Sequence, residues 1–345
     1  MEWQVYIKQD SLDDLLHEVY SKLLKRRLKI AATKGDFKEI TGVLLHLKKP
    51  RARISRAEGK GKLFSCLGEL LWYLAGSKQL KFIEYYIPLY KKSSDDYRTI
   101  YGGYGPRLCG KGKNAQLSNI INLLKDRSTT RQAVIQLFDS KDILKRHKDI
   151  PCTCTLQFLI RKNKLHMFTS MRSNDAFLGL PHDIFAFSML QEIIAMSCGC
   201  EIGEYKHYVG SLHLYEKNFE AAAKYLDSGI QTIVEMPEMP KGDPMPSIKI
   251  LLDAENKIRQ GMEINPLSLN IDDYWKDLIN ILQFFRHTKF PEEAHKAEES
   301  IKKVKSPVYS TYLEKRKQEK VPLNDSRPEQ FDIFYTESIE CNVQL

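Results

Sequence analysis

Two short apolar segments joined by a tight turn set the fold class of this chain. The segments "TLQFLI" (155–160) and "KLHMFT" (164–169) have the composition of strands, and "RKNK" (161–164) is the turn between them. An apolar helix is predicted over 184–197, then a strand at "HYVGSLHLY" (207–215) and a helix at "EKNFEAAAKYLDSG" (216–229). Helices and strands mix without a regular β-α-β alternation, which favours an α+β fold over a doubly wound one.

The remaining pattern predicts a main unit over residues 1–236 and a helical, partly irregular extension over 237–345. Ser11 and Asp14 resemble a capping box, followed by a helix predicted over 11–32. A strand is predicted at "ITGVLLHL" (40–47), a buried helix at "LFSCLGELLWYLAG" (63–76), and a loop at "KKSSDDYRTIYGGYG" (91–105). The proline-rich segment "MPEMPKGDPMP" (236–246) marks the boundary, and the last twenty residues look irregular.

Composition narrows the class of partner. The chain has a formal charge of +9, which attracts phosphorylated molecules. The basic stretch "KKPRARISRAEGKGK" (48–62) is interpreted as a solvated loop. Nucleic-acid binding is the alternative, which the lack of interleaved aromatic residues disfavours. No apolar run is long enough for a membrane span, and the N-terminus does not resemble a signal peptide, so we expect a cytoplasmic protein without a membrane partner.

The seven cysteines form no regular framework. Cys152/Cys154 and Cys198/Cys200 are C-x-C pairs, whereas zinc and redox motifs mostly use C-x-x-C, so we expect no metal. Cys152 follows a proline and precedes a strand, so its thiol could point into a cleft. The alternative is a small buried apolar side chain. Strand pairing could bring Arg172 beside it and lower the pKa of the thiol.

Several other polar residues stand out. Glu69 lies within the apolar helix "LGELLWYL", where a carboxylate is costly unless it is paired or catalytic; a buried partner arginine is the alternative. Asp175 and Asp183 flank "AFLGLPH", and either could be a helix cap. His213 and Tyr215 alternate along one strand and therefore face the same side, where they could bind a hydroxylated ligand. A satisfied core histidine is the alternative for His213.

Together these blocks resemble a known family. "GELLWYLAG", "IYGG", "PC", "RSNDAFLGLPHDI" and "LHLY" occur in the order and near the spacing of the thymidylate synthase family, over roughly residues 38–225. That family shows "HELLWFL", "VYG", "PCH", "QRSxDxxLGxPFNI" and "THLY". The resemblance implies a three-layer α+β fold with a mixed sheet and flanking helices, a homodimer, and 5,10-methylenetetrahydrofolate as one-carbon donor.

The resemblance also implies catalytic roles. Cys152 would attack C6 of a pyrimidine nucleotide, which makes C5 nucleophilic. Glu69 would manage protons through water, and Tyr101 would join that hydrogen-bond network. Arg172 would activate the thiol and bind phosphate.

Further residues of the blocks would bind the substrate and the folate. Ser173 would contact the phosphate, and Arg131 resembles an arginine that reaches the phosphate of the partner subunit. The folate would be bound by Asp175 and Trp72, and the sugar by His213 and Tyr215. The N-terminal phosphate loop is matched loosely: Lys34, Arg51 or Arg53 could serve, and Arg53 is the predicted ligand.

Departures from the family pattern indicate the substrate. Asp183 replaces an asparagine that pairs with uracil, and an ionised carboxylate can only accept hydrogen bonds, as the amino group of cytosine requires. Thr153 replaces a histidine, and Gln132 replaces a second arginine. The pattern is closest to the cytidylate hydroxymethylase branch, which adds water to the methylene on C5. The predicted function is therefore 5-hydroxymethylation of CMP or dCMP. A methylase acting on dUMP or dCMP and a non-catalytic nucleotide-binding homologue are the alternatives.

Overall fold

A mixed β-sheet forms the base of the molecule. The computed structural model describes residues 5–32, 35–56, 62–110, 112 and 115–319. In these ranges the sheet has six strands in the order β1-β2-β6-β5-β4-β3. The β1–β2 and β5–β6 pairs are parallel and the other pairs are antiparallel. The strands are β1 Val5–Gln9, β2 Phe37–Leu47, β3 Val134–Gln136, β4 Thr153–Arg161, β5 Lys164–Asp175 and β6 Glu201–Tyr215.

Helices cover one face of this sheet and continue beyond it. They are α1 Leu12–Leu24, α2 Leu63–Leu74, α3 Leu80–Tyr86, α4 Gly105–Cys109, α5 Gln116–Asp126, α6 Leu180–Ser197, α7 Phe219–Asp227, α8 Met245–Arg259, α9 Asp273–Lys289, α10 Ala297–Lys302 and α11 Ser310–Gln318. The α+β class with a mixed sheet, predicted from the sequence, is confirmed.

The helix α6 lies between the sheet and α2 and forms the centre of the core. It contacts β5 and β6 on one side and α2 on the other, and nearly all of its side chains are buried. A helix that is apolar all round is typical of such a position. It begins at Leu180, four residues earlier than predicted, because Pro181 fits the first turn of a helix, where no backbone N–H is needed.

The helix predicted over 11–32 is shorter than expected. Ser11 caps α1 by accepting a hydrogen bond from the backbone N–H of Asp14, as predicted. The helix ends at Leu24, because the apolar spacing that faces the core ends at Leu23 and a run of basic residues follows. The strand β1 and the helix α3 were not predicted from the sequence pattern.

Irregularities at one level of the sheet shape the site. In β2, Gly42 has a φ of 65°, and buried positions change from even to odd numbers across it. In β5 the buried positions change from odd to even numbers between Met171 and Asn174, and in β4 the register shifts between Thr153 and Thr155. A local kink of this kind re-aims the side chains that follow. On the face away from α6, side chains such as Phe168 and Tyr208 remain partly exposed.

The helices after residue 237 pack onto α2 and α3. Phe285 of α9 stacks on Phe64 of α2, with ring centroids 5.6 Å apart, and on Tyr86 of α3 at 5.3 Å. Tyr86 also donates a 2.8 Å hydrogen bond to Glu255 of α8. The division at 236/237 stays a prediction, and the predicted irregular tail lies outside the described residues.

Candidate active site

A cavity of about 360 Å³ lies where the ends of β4 and β5 meet α2 and α6. The residue before β4, the last residues of β5, the first turn of α6 and the inner face of α2 all contribute to its wall. The irregularities of β4 and β5 lie at these ends. The cavity brings together six of the residues predicted for the site, namely Cys152, Glu69, Trp72, Ser173, Asp175 and Asp183.

Arg172 fixes a positive charge beside the thiol of Cys152. One guanidinium nitrogen of Arg172, Nη2, lies 3.6 Å from the sulfur. The same side chain donates hydrogen bonds to the carbonyl oxygens of Pro151 (3.0 Å) and Ile150 (3.2 Å), so its position is fixed by backbone. A neighbouring cation favours the thiolate, which is the nucleophilic form.

Glu69 is buried on α2 and is hydrogen-bonded to two tyrosines instead of an arginine. Its Oε1 accepts hydrogen bonds from the hydroxyls of Tyr73 (2.9 Å) and Tyr90 (2.5 Å). Burial raises the pKa of the carboxyl, these two hydrogen bonds oppose the shift, and the charge of Asp149 adds to it. A carboxyl with a raised pKa can take up and return a proton near neutral pH.

Asp183 lies in the first turn of α6 and not at its N-cap, which Gly179 occupies. Burial raises the pKa of Asp183 well above its usual range, and the charge of Glu69 adds to this effect. A hydrogen bond with Asn174 acts in the opposite direction. The neutral acid therefore persists to higher pH than usual, and it carries one donor and one acceptor.

Asp175 supports the loop that leads into α6. Its Oδ1 accepts hydrogen bonds from the backbone N–H groups of Phe177 (2.8 Å) and Leu178 (3.0 Å), whereas Oδ2 takes neither of them. This resembles the capping alternative that the sequence left open. The carboxylate is thereby fixed at the cavity wall.

His213 and Tyr215 lie beside the cavity on β6. The Nδ1 atom of His213 is 3.4 Å from the hydroxyl of Ser173, and His213 is paired with Asp175 across the sheet. The rings of His213 and Tyr215 meet edge to face, with centroids 5.0 Å apart. Burial raises the pKa of Tyr215, and the charges of Asp175 and Cys152 add to it.

Of the two tyrosines in "YGGYG" (101–105), Tyr104 lines the cavity and Tyr101 does not. Tyr101 stacks on His147 with ring centroids 3.6 Å apart, and it does not line the cavity. The hydroxyl of Tyr104 accepts hydrogen bonds from the backbone N–H (3.2 Å) and the hydroxyl (3.0 Å) of Thr153. The sequence contains "YG" twice, at 101–102 and 104–105, and the structure places the second tyrosine at the cavity, whereas the prediction named the first.

Arg53 does not reach the cavity either. Its guanidinium is buried and paired with Glu192 of α6, which also accepts a hydrogen bond from the backbone N–H of Met239 (3.1 Å). Because this pair is inside the core, Arg53 cannot bind a phosphate in the cavity. Arg51 pairs with Glu235 and Glu238, and Lys34 lies outside the described residues.

Arg131 is exposed just before the edge strand β3 and does not line the cavity of its own chain. Among the described lining residues, Lys62 is the one lysine or arginine. Burial lowers the pKa of Lys62, whereas the charges of Cys66 and Asp175 act to raise it. The wall of the cavity therefore holds more carboxyl groups than cations.

The cavity wall fits a flat heteroaromatic ring such as that of a folate. Trp72 contributes its indole, and Ile87, Leu89 and Leu178 add apolar surface. Within the described ranges, the buried indole Nε1 of Trp72 has no hydrogen-bond partner. An apolar slot with a few fixed polar groups suits ligands of this kind.

A separate group of side chains has metal-ligand composition. Glu263, His287 and Glu293 have ligand atoms within 4.8 Å of one another in the described structure. However, Lys296 binds Glu263 (2.7 Å) and Arg286 binds Glu293 (3.0 Å), so both carboxylates already have cationic partners. The group is a salt-bridge network around α9.

Comparison with known proteins identifies the family. The family model for thymidylate synthase matches residues 58–266, which is more than half of the chain. This chain belongs to the thymidylate synthase family. The resemblance seen in the sequence and the predicted thymidylate synthase-like fold are thereby confirmed at the level of the family.

Two relatives within the thymidylate synthase family illustrate its range. A deoxyuridylate hydroxymethyltransferase of Delftia phage PhiW-14 is 30% identical over 208 residues, which cover 54% of this chain and 57% of the relative. A thymidylate synthase of Buchnera aphidicola subsp. Baizongia pistaciae is 30% identical over 164 residues, covering 46% and 62%. The chain thus spans about three fifths of the length of these relatives. No helix in the described ranges is long and apolar enough to cross a membrane.

Proposed function

We propose that this protein hydroxymethylates C5 of a cytosine nucleotide, CMP or dCMP, with 5,10-methylenetetrahydrofolate as the one-carbon donor. The observation that carries the proposal is Asp183, a carboxyl in the same cavity as Cys152 and Glu69. It occupies the position at which thymidylate synthases have asparagine. Cytosine presents an amino group at C4, and a carboxyl oxygen can accept its hydrogen bond.

The residues around Cys152 suit addition to a pyrimidine ring. The thiolate, favoured by Arg172, adds to C6, and the electron pair displaced from the ring makes C5 nucleophilic. Methylenetetrahydrofolate would supply the carbon that C5 receives and, once C5 has lost its proton, would leave as tetrahydrofolate, which gives an exocyclic methylene on C5. Glu69, with its raised pKa, would take protons from and return them to the ring through water. Expulsion of Cys152 from C6 completes the turnover.

In hydroxymethylation, water adds to the exocyclic methylene on C5. In methylation, a hydride is transferred to it instead. Thr153 stands after the nucleophile where thymidylate synthases have histidine, and its hydroxyl is bonded to Tyr104. The phage relative carries the name of a hydroxymethyltransferase, which supports this chemistry within the family.

A uracil nucleotide is the second candidate. The phage relative is named for deoxyuridylate, and a protonated Asp183 could donate a hydrogen bond to O4 of uracil. Base choice therefore depends on whether Asp183 has a hydrogen available to donate.

We also propose that the active form is a homodimer. The described cavity wall has a single cation, Lys62, with Arg172 nearby, and a nucleotide phosphate carries about two negative charges. Arg131 is exposed at the sheet edge, away from its own cavity, so it is available to a second copy of the chain. The partly exposed sheet face that carries Phe168 and Tyr208 is the proposed contact surface.

Release of tritium from C5-labelled CMP, dCMP and dUMP tests the proposal directly. With methylenetetrahydrofolate, the protein is expected to release tritium from one cytosine nucleotide, and Cys152→Ala is expected to release none. Mass analysis of the product then separates a hydroxymethyl from a methyl group. Release from dUMP alone would favour the second candidate, and no release from any nucleotide would refute both.

Asp183→Asn tests the role of the carboxyl. The amide adds a fixed donor, so relative kcat/KM is expected to shift at least about tenfold from the cytosine toward the uracil nucleotide. A variant that keeps the original preference would show that Asp183 does not select the base.

A further inference from the structure

The described cavity wall holds a fourth carboxyl group, which the proposed reaction does not use. Glu69, Asp175 and Asp183 already have proposed roles, whereas Asp149 has none. Asp149 is half-buried and precedes Cys152 by three residues along the chain. It lies outside the motifs that identified the site from the sequence.

A glycine makes room for the carboxylate of Asp149. A Cβ on Gly102 would overlap Oδ2 of Asp149 and would lie 3.1 Å from its Cγ. Gly102 is buried and lines the cavity, so the carboxylate packs against the cavity wall. The next residue, Gly103, is equally close to Trp72, since a Cβ there would lie 3.0 Å from Cη2 of the indole. The two glycines therefore hold Asp149 and Trp72 at adjacent positions of the wall.

The backbone on both sides of Asp149 is fixed by hydrogen bonds. The carbonyl oxygens of Ile150 and Pro151 accept hydrogen bonds from Arg172, at 3.2 Å and 3.0 Å. On the other side, the backbone N–H of Lys148 donates a 3.0 Å hydrogen bond to Asp95. A group that is held in place before the reaction needs no reorganisation during it.

Asp149 lies where the two proposed ligands meet. In the proposed function the nucleotide is attached to Cys152 and the folate packs against Trp72, and Asp149 is close to both. The carbon that passes from the folate to C5 is located at this junction. Glu69 is near as well, because the charge of Asp149 adds to burial in raising the pKa of Glu69.

Hydroxymethylation needs two proton acceptors in one turnover. One proton leaves C5 before the exocyclic methylene forms, and a second leaves the water that adds to this methylene. Glu69, with its raised pKa, suits the first transfer. A separate base for the water allows the second transfer to follow before Glu69 has released its proton.

We propose that Asp149 is the general base for the water that adds to the exocyclic methylene, and therefore a catalytic residue of hydroxymethylation. A lone pair of the water oxygen forms the C–O bond, the electron pair of the exocyclic double bond moves into the ring, and Asp149 takes the proton of the water. Return of this electron pair to the C5–C6 bond expels Cys152 as thiolate, and Asp149 passes its proton to solvent. The proposal rests on the proposed function, and it applies to a cytosine or a uracil nucleotide alike.

Asp149→Asn keeps the size of the side chain and removes the base. Tritium release from the C5-labelled nucleotide measures loss of the C5 proton, and mass analysis measures the hydroxymethyl product. Tritium release is expected to stay within about threefold of wild type while product formation falls at least about a hundredfold, so the ratio of tritium to product rises at least about thirtyfold. Added 2-mercaptoethanol is expected to trap the accumulated methylene as a thioether on C5.

Asp149→Ala gives a second readout and serves if the asparagine variant does not fold. The lost carboxylate leaves space over Gly102 that formate can occupy. Added formate is expected to raise product formation by the alanine variant at least about fivefold and to leave the wild-type rate unchanged.

Asp95→Asn is the matched control. Asp95 lies 2.8 Å from Nδ1 of His147 and accepts the hydrogen bond from Lys148, so it holds the same segment, but it does not line the cavity. This change loosens the segment and keeps the carboxylate of Asp149. The ratio of tritium to product is expected to stay within about twofold of wild type.

The outcomes separate the two proposals. Wild-type formation of a hydroxymethyl product, with an unchanged ratio in both Asp149 variants, overturns the inference and leaves the proposed function standing. A parallel loss of tritium release and product that formate does not relieve also overturns it, because a merely structural role gives that result. If the wild-type protein releases no tritium or yields a methyl product, no water is added and both proposals fall.

Discussion

At the scale of single residues, the charge on Glu69 depends on two phenols. Tyr73 and Tyr90 both donate to the same carboxylate oxygen, and both therefore favour its ionised form. Burial and Asp149 act in the opposite direction. Tyr73 lies in the same block as Glu69, whereas Tyr90 is outside the motifs that led to Glu69 from the sequence.

Tyr90→Phe is expected to move the acid side of the pH–kcat/KM profile to higher pH. The sign follows because a lost hydrogen bond to the carboxylate raises the pKa of Glu69 further, so ionised Glu69 forms only at higher pH. Tyr86→Phe is the control, since Tyr86 makes a similar buried bond to Glu255 away from the cavity. Equal profiles for the Tyr90 variant and the wild type would contradict a role for Tyr90.

Tyr104→Phe and Tyr101→Phe distinguish the two tyrosines of "YGGYG". The first removes the hydroxyl that binds Thr153 next to the nucleophile, and kcat is expected to fall at least about tenfold. The second leaves the cavity intact, and kcat is expected to stay within about twofold. The opposite order in steady-state kinetics would restore the assignment made from the sequence.

The residues that the sequence identified are those whose motif fixes their position. Cys152, Glu69 and Asp183 fall in short blocks with one register, and the structure brings them together. The prediction assigned Arg53 to the phosphate site, but "RARIS" does not reveal which arginine is buried against Glu192. Asn174, which also lines the cavity, was passed over because its partner His207 becomes a neighbour only through the pairing of β5 with β6.

At the scale of helices and strands, the position of α2 depends on a helix that follows residue 237. The aromatic contacts of Phe285 with Phe64 and Tyr86 press α9 against α2 and α3. The sequence predicted a helix in this region, but periodicity does not say which element it covers. The strand kinks could not be predicted from periodicity either, because they arise from pairing between distant segments.

Phe285→Ala is expected to lower the free energy of unfolding by about 3–5 kcal/mol, because it leaves a cavity in this aromatic cluster. Activity is expected to fall with it, since α2 carries Glu69 and Trp72. Phe290→Ala, at a partly exposed position at the end of α9, is expected to cost less than about 2 kcal/mol. Urea titration gives both values. Equal losses in the two variants would argue that α9 does not support α2.

At the scale of the whole molecule, the proposed homodimer makes each cavity depend on two chains. Arg131 would complete the phosphate site of the partner, whereas Cys152 acts in its own chain. Gln132, next to Arg131, replaces the second arginine of the family pattern, so Arg131 would be the principal contribution from across the interface.

Mixing inactive subunits tests this arrangement. Cys152→Ala and Arg131→Ala proteins are each expected to be weak or inactive alone. After dissociation and random reassociation, about half of the dimers are mixed, and each mixed dimer has one intact site, so about a quarter of wild-type activity is expected to return. No recovery, although sedimentation shows mixed dimers, would place Arg131 in the site of its own chain.

The strands β5 and β6 are parallel and are connected by α6, and this topology affects the order in which the molecule folds. The nucleophile lies before β4, Asp183 lies on the crossover helix, and His213 is on the strand that the crossover delivers. Contacts between segments this far apart along the chain form late in folding, after local helices and the β4–β5 hairpin. We therefore expect the cavity to be among the last parts of the molecule to form, so that a newly made chain can bind its substrate only when the topology is complete.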